Sequence, residues 1–344
     1  MGVAITELLE SHEIKLSELK GKILAVDAFN ILYMFTTTIR GPDGSPLMNS
    51  KGEITSHLTG LFSRFSNLME KGIKFAFVFD GEAPELKRAE RSRRSKLKEE
   101  AKELYEAAKQ AQDIENMKKY AARTVFLTKE MIDEAKELIS AMGMPIIEAP
   151  SEGEAQAAHL VKRGDAYAVL SQDADALLNE TPLMIRNLSI SAKRKMPGQY
   201  NHKAIEPEII NLKQNLEKLN ITQDELIMLA ILVGTDYNYG GIKGIGPKKA
   251  IKLIEKHKDN PEKIFEEVNW NEHYTFSWKK IYDTIKNMPT TNNYDLTFKD
   301  PDTDKIKEIL VKKHNFSEER VNATLKKLDE YKKINAQKGL SDFF

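Results

Sequence analysis

The chain has 344 residues, and its 52 Lys and Arg balance 52 Asp and Glu, so net charge excludes a globally basic nucleic-acid binder and any such signal must be local. Hydrophobic content of 41% allows a substantial core in one large or two small domains. Apolar runs of strand length and the lack of a charged-then-apolar leader predict a soluble, cytoplasmic protein with no membrane partner. Zero cysteines exclude disulfides and thiolate metal sites, and seven scattered histidines show no ligand spacing, so a bound metal would be a hard cation held by carboxylates, Mg²⁺ or Mn²⁺.

In chain order, residues 22–26 (KILAV) form an apolar run ending at Asp27, and residues 28–35 continue with helical character. A turn-rich GPDG at 41–44 leads into a predicted helix over about 55–70. Residues 75–79 (FAFVF) are a second strand, ending at Asp80-Gly81. Residues 144–148 (MPIIE) are a third, just ahead of Glu152. Residues 155–161 read as a small-residue helix, 166–170 as a fourth strand ahead of Asp173 and Asp175, and 183–186 as a fifth. Strands alternating with helices predict an α/β fold with a parallel central sheet, mixed at its edge, flanked by helices.

Such a sheet places its crevice beyond the carboxyl ends of the strands, where these acids fall. Taken alone, Ser151-Glu152-Gly153-Glu154 also reads as a capping box, and Asp173 and Asp175 as turn or N-cap residues. Four successive strand ends presenting Asp27, Asp80, Glu152 with Glu154, and Asp173 with Asp175 favour a shared cation. Clustered carboxylates otherwise raise one another's pKa and cost stability.

Residues 87–98 (KRAERSRRSKLK) carry seven basic residues against one glutamate and open a long helical run to about 123. In isolation that is a solvated charged helix. Residues 226–233 form an apolar helix stopped by Gly234-Thr235, leaving Asp236 as a seventh acid. The following GGIKGIGPKKA (240–250) makes two glycine turns entering a helix, with Lys243, Lys248 and Lys249 beside them, suited to a backbone phosphate. It is not a Walker A loop. Residues 287–304 are polar and aperiodic, and 304–333 resume helical patterning. The terminus, QKGLSDFF, ends a polar stretch in two aromatics, as a docking peptide would.

These stretches resemble the flap structure-specific endonucleases of the 5′ nuclease superfamily, in an archaeal-type form. VDAFNILY, GEITSHLTGLF, VFDGEAPELK, EAPSEGEAQAA, SQDADALL and GTDYNYGGIKGIGPKKA occur in that family's order and spacing across essentially the whole chain. The resemblance implies an N-terminal nuclease region (1–100) with a helical arch or cap at about 86–123, and an internal nuclease region (124–258) with a helix-turn-helix at 226–257. A C-terminal helical region (259–330) and a tail (331–344) would follow.

It implies Asp27, Asp80, Glu152 and Glu154 as ligands of one Mg²⁺, and Asp173, Asp175 and Asp236 of a second. Lys87 and Arg94 would steer the scissile phosphate, and Tyr33 would stack on a base, though an aromatic on such a helix is by default core. Gly2 would lie near the active site. Gly234, Gly244 and Gly246 with the three lysines would contact duplex DNA, with a K⁺ ion. Gln337, Leu340, Phe343 and Phe344 would dock on the sliding clamp. The implied protein is a monomeric, two-metal 5′ flap endonuclease with 5′–3′ exonuclease activity, acting on branched DNA in replication and repair. A catalytically silent clamp adaptor would make seven acids superfluous; a related 5′ exonuclease or junction resolvase would share the chemistry. Ala83 and Tyr239 stand where the family commonly has proline.

Overall fold

The computed structural model describes Val3 and residues 5–41, 44–111, 126–188, 206–258 and 260–341, with a few isolated positions at 113, 116, 120, 194–195 and 202–203. Its centre is a seven-stranded sheet built from β1 (His12–Glu13), β2 (Ile23–Asp27), β3 (Lys74–Phe79), β4 (Ile146–Glu148), β5 (Ala168–Leu170), β6 (Leu183–Arg186) and β9 (Glu208–Asn211). A two-stranded ladder, β7 (Arg194–Lys195) with β8 (His202–Lys203), stands apart. The order across the sheet is β1-β9-β6-β5-β2-β3-β4. The five strands β6, β5, β2, β3 and β4 run parallel, while β9 is antiparallel to β6 and to β1. The expected parallel sheet with a mixed edge is therefore observed.

Alternation along the strands divides the core into two layers. Leu24, Val26, Phe75, Phe77 and Phe79 face one side, where Phe65 sits with its ring 4.7 Å from Phe75 and 4.9 Å from Phe77. Ala25, Ala76, Val78 and Val169 face the other, against Ala157, Leu160 and Val161. The small residues on this second face let the helix Gly153–Lys162 lie close on the sheet.

Six helices bear on the site: α1 (Ala28–Thr38), α2 (Lys87–Gln110), α3 (Gly153–Lys162), α4 (Asp175–Leu178), α5 (Gln223–Val233) and α6 (Pro247–Lys256). The helix expected over 55–70 spans Ser56–Met69 but carries a π-turn at Leu61–Phe65. The aperiodic stretch after Asn287 holds no regular element until Thr303–Lys307. The last helix runs from Glu318 to Ser341, through Gln337 and Leu340, whereas Gly2, Phe343 and Phe344 lie outside the described residues.

Candidate active site

Strands β5, β2, β3 and β4 are neighbours and parallel, so their carboxyl ends open on one edge, where six of the seven predicted acids stand. Asp27, the last residue of β2, is 3% exposed. It caps α1 by accepting the Asn30 amide at 3.1 Å and takes the Ser171 hydroxyl at 3.0 Å. Asp80 follows β3 and accepts the Gly153 amide at the start of α3, 2.7 Å away. A Cβ on Gly153 would meet that Asp80 oxygen at 2.7 Å, so a larger residue there would push the carboxylate from this position. Asp173 accepts from the Asn30 side chain at 2.8 Å, and Asp175 from the Val3 amide at 2.7 Å.

The capping reading of this stretch is overturned. Glu152 is the N-cap of α3 without a side-chain cap bond, and the Ser151 hydroxyl instead donates to the Glu82 carbonyl at 2.7 Å. Ala174, not an aspartate, caps α4, and it makes no side-chain cap bond. The Ser151 oxygen is committed across the β3–α2 loop, so it is turned away from the helix it was expected to cap.

Asp236 completes the set from the other half of the chain, in the turn after α5. Lys87, the first residue of α2, makes a close ion pair with Glu152 and reaches Asp236 at 3.4 Å. Arg94, two turns along, pairs closely with Asp236 and donates to Glu90 at 2.7 Å. Both predicted cations thus face the acids from one helix.

The charge balance is strained in a definite direction. Burial, then Asp80 and Asp173, push the Asp27 carboxyl up to about 7. Burial, then Asp173 and Asp236, push Asp175 up to about 6, and burial with Asp27 raises Glu154 well above the carboxylate range. Burial would drive the Lys87 ammonium down, but Glu154, Glu152 and Asp236 together outweigh it and hold it charged.

Among the described residues no three acidic or histidine side chains converge closely enough to hold an ion as they stand. Instead Lys87 and Arg94 occupy the carboxylates as counter-charges. The donor set is all oxygen and over-supplied with negative charge, which fits hard divalent cations in chemistry and in sign.

Tyr33 is 38% exposed, so the default of a core aromatic is wrong here. Lys243, Lys248, Lys249, Gly244 and Gly246 all lie on the surface of the α5–α6 connection, with the Lys249 ammonium 2.9 Å from the Gly244 carbonyl. Gly234, at φ +116°, has its Cα so near Gly241 that an added Cβ would meet the Gly241 nitrogen at 2.6 Å.

Known proteins resemble this chain along its length. Residues 1–101 match the XPG N-terminal domain and residues 143–236 the XPG I-region. Flap endonuclease 1 of Pyrococcus abyssi is 48% identical over 344 residues, covering 100% of this chain and 98% of that protein. The chain belongs to the flap endonuclease 1 family. Flap endonuclease 1 of Aeropyrum pernix is 46% identical over 331 residues, 95% of this chain and 94% of the relative. Among solved structures, flap endonuclease-1 from Methanococcus jannaschii superposes with a TM-score of 0.76 at 40% identity, over 96% of this chain and 98% of that one. The catalytic core of Rad2 in complex with DNA substrate shares the fold, with a TM-score of 0.67 at 23% identity over 94% and 97%. As a member of this family the protein is a nuclease, a phosphodiester hydrolase of replication and repair.

Sequence reasoning missed the residues that hold the acids. Asn30 touches both halves of the set, through its amide to Asp27 and its side chain to Asp173, and also accepts the Gln172 amide at 3.0 Å. Ser171 links the same two, accepting the Asp173 amide at 3.3 Å while donating to Asp27. Their only signal was position, immediately beside acidic strand ends.

Proposed function

We propose that the protein cuts single-stranded 5′ flaps at their junction with duplex DNA, leaving a 5′-phosphate on the downstream strand, and removes nucleotides from 5′ ends by the same chemistry. The supporting observation is the row of buried, mutually repelling carboxyls at adjacent parallel strand ends, facing Lys87 and Arg94. Two Mg²⁺ ions, or Mn²⁺ in their place, would be held by Asp27, Asp80, Glu152 and Glu154 and by Asp173, Asp175 and Asp236, and when bound would activate water and stabilise the leaving oxygen.

The chain's own groups then have separable tasks. Lys87 and Arg94 exchange carboxylate oxygens for those of the scissile phosphate, offsetting charge that grows during hydrolysis. Tyr33 offers its exposed ring to the base beside the cut. Asn30 and Ser171 keep Asp27 and Asp173 oriented. The basic first turns of α2 draw the single strand toward a site that seven acids would otherwise make repulsive. The Gly234–Gly246 turns with Lys243, Lys248 and Lys249 grip duplex phosphates, with K⁺ as the accompanying ion, and Gln337 to Phe344 dock on the sliding clamp. The protein acts as a monomer in the cytoplasm.

Cleavage of labelled flap, nicked and blunt substrates side by side, with and without chelator, tests this reading. Flap cleavage should dominate and stop with chelator, and Asp173→Asn should lose single-turnover rate by orders of magnitude while still binding flaps. Chelator-resistant cleavage or a normal Asp173→Asn rate would refute it.

A further inference from the structure

The base of α2 carries two adjacent arginines, and a single carboxylate holds both. Glu90 is only 5% exposed, yet it accepts three donors: Arg93 Nε at 2.7 Å, Arg93 Nη2 at 2.8 Å and Arg94 Nε at 2.7 Å. A carboxylate so deeply placed stays charged only while its partners stay. Arg94 is shared between Glu90 and Asp236, so its position depends on how strongly Glu90 is engaged by Arg93.

Arg93 is in turn anchored from outside. Its guanidinium lies 3.5 Å above the ring of Tyr239, which is 54% exposed and stands three residues beyond Asp236. The contacts therefore close a ring from Asp236 through Arg94, Glu90, Arg93 and Tyr239 back along the chain to Asp236. The face of the Tyr239 ring is what the guanidinium meets, and an aliphatic side chain there would offer it none.

We propose that Tyr239 is a positioning residue: by clasping Arg93 it keeps Glu90 occupied, and so leaves the Arg94 guanidinium extended toward Asp236 and the reacting phosphate. Without the clasp Arg93 is free to leave for solvent. Glu90 then takes Arg94 as a bidentate partner, its preferred geometry, and withdraws it from the acids. Arg93 matters more than Tyr239 in this scheme, because removing it vacates Glu90 outright.

The inference rests on the reading that Arg94 meets the scissile phosphate, and the test separates the two. Single-turnover cleavage with Mg²⁺ and flap affinity with Ca²⁺ are measured on the full chain for Tyr239→Leu, Tyr239→Phe, Arg93→Ala, Arg94→Ala and the Tyr239→Leu/Arg93→Ala double variant. Tyr239→Leu should lower the rate roughly two- to fivefold, as removal of an exposed cation–π pair allows, with affinity within about twofold of the parent. Tyr239→Phe, which keeps the ring, should restore the rate. Arg93→Ala should fall at least as far as Tyr239→Leu, and the double variant no further than Arg93→Ala. A parental rate for Tyr239→Leu, a loss confined to affinity, or additive losses, each beside an impaired Arg94→Ala, overturns the clasp alone. A parental rate for Arg94→Ala overturns the reading beneath it.

Discussion

Asp27→Asn separates what the acids do for chemistry from what they cost the fold. Burial, then Asp80 and Asp173, push the Asp27 carboxyl of the folded chain up to about 7, against 3.8 for an ordinary aspartate. Its native pKa is raised, so the folded state binds the extra proton. The stabilising contribution is fully present below about pH 3.8 and is lost as pH rises through about 7. At about 1.4 kcal/mol per pH unit, the gap corresponds to a penalty of about 4 kcal/mol at pH 8 without metal. Asparagine keeps the acceptor for the Asn30 amide but must re-pair with Ser171, at a cost of about 1 kcal/mol.

In chelator at pH 8, Asp27→Asn should therefore be more stable than the parent by about 2–3 kcal/mol, although its cleavage falls by orders of magnitude. Urea unfolding from pH 4 to 8 measures this, and the advantage should vanish toward pH 4. Burial holds His57 down near 3, and it contributes the opposite slope, with stability falling below the ordinary histidine pKa of 6.5; this slope is common to both proteins and cancels in the difference. An Asp27→Asn protein that is less stable than the parent at pH 8, or a difference independent of pH, would refute the repulsion argument.

Gly153→Ala drives a methyl group into the Asp80 carboxylate, so cleavage should fall roughly tenfold or more with a stability loss of about 1–3 kcal/mol. Parallel single-turnover and melting measurements check both. Replacing Lys248 and Lys249 by Ala should weaken duplex binding uniformly across sequences and flatten its salt dependence by about one unit for each phosphate no longer neutralised. An unchanged slope would make them merely solvated. Deleting residues 340–344 should leave cleavage of free flaps unaltered and abolish stimulation by the clamp, and equal loss with and without clamp would refute the docking role.

The parallel strands were legible because FAFVF and its counterparts are short apolar runs bounded by acids, and burial on both faces demands that pattern. Edge strand β1 and its neighbour β9 escaped notice. The first is a two-residue pairing of His12 and Glu13 with a partner about 196 residues away, and neither residue is apolar. The acids were legible by position, but their environment was not. Ser151 resembled a helix cap until its hydroxyl was seen to reach Glu82, and Asn30 looked like an ordinary helical polar residue until its bonds to Asp27, Gln172 and Asp173 joined positions some 140 residues apart. Such bonds are made by the fold and leave no periodic trace in the chain.

The acids enter from segments scattered between Asp27 and Asp236, and that separation has a kinetic consequence. No early, local nucleus contains more than a fraction of them, since β2 must pair with β3 and with β5 across long connections before Asp27, Asp80 and Asp173 meet. We expect their repulsion to develop on the native side of the folding barrier. Neutralising one of them should then slow the escape from the folded state and leave the speed of its formation nearly untouched. The lifetime of the metal-free enzyme, rather than its ability to fold, is what the active site consumes.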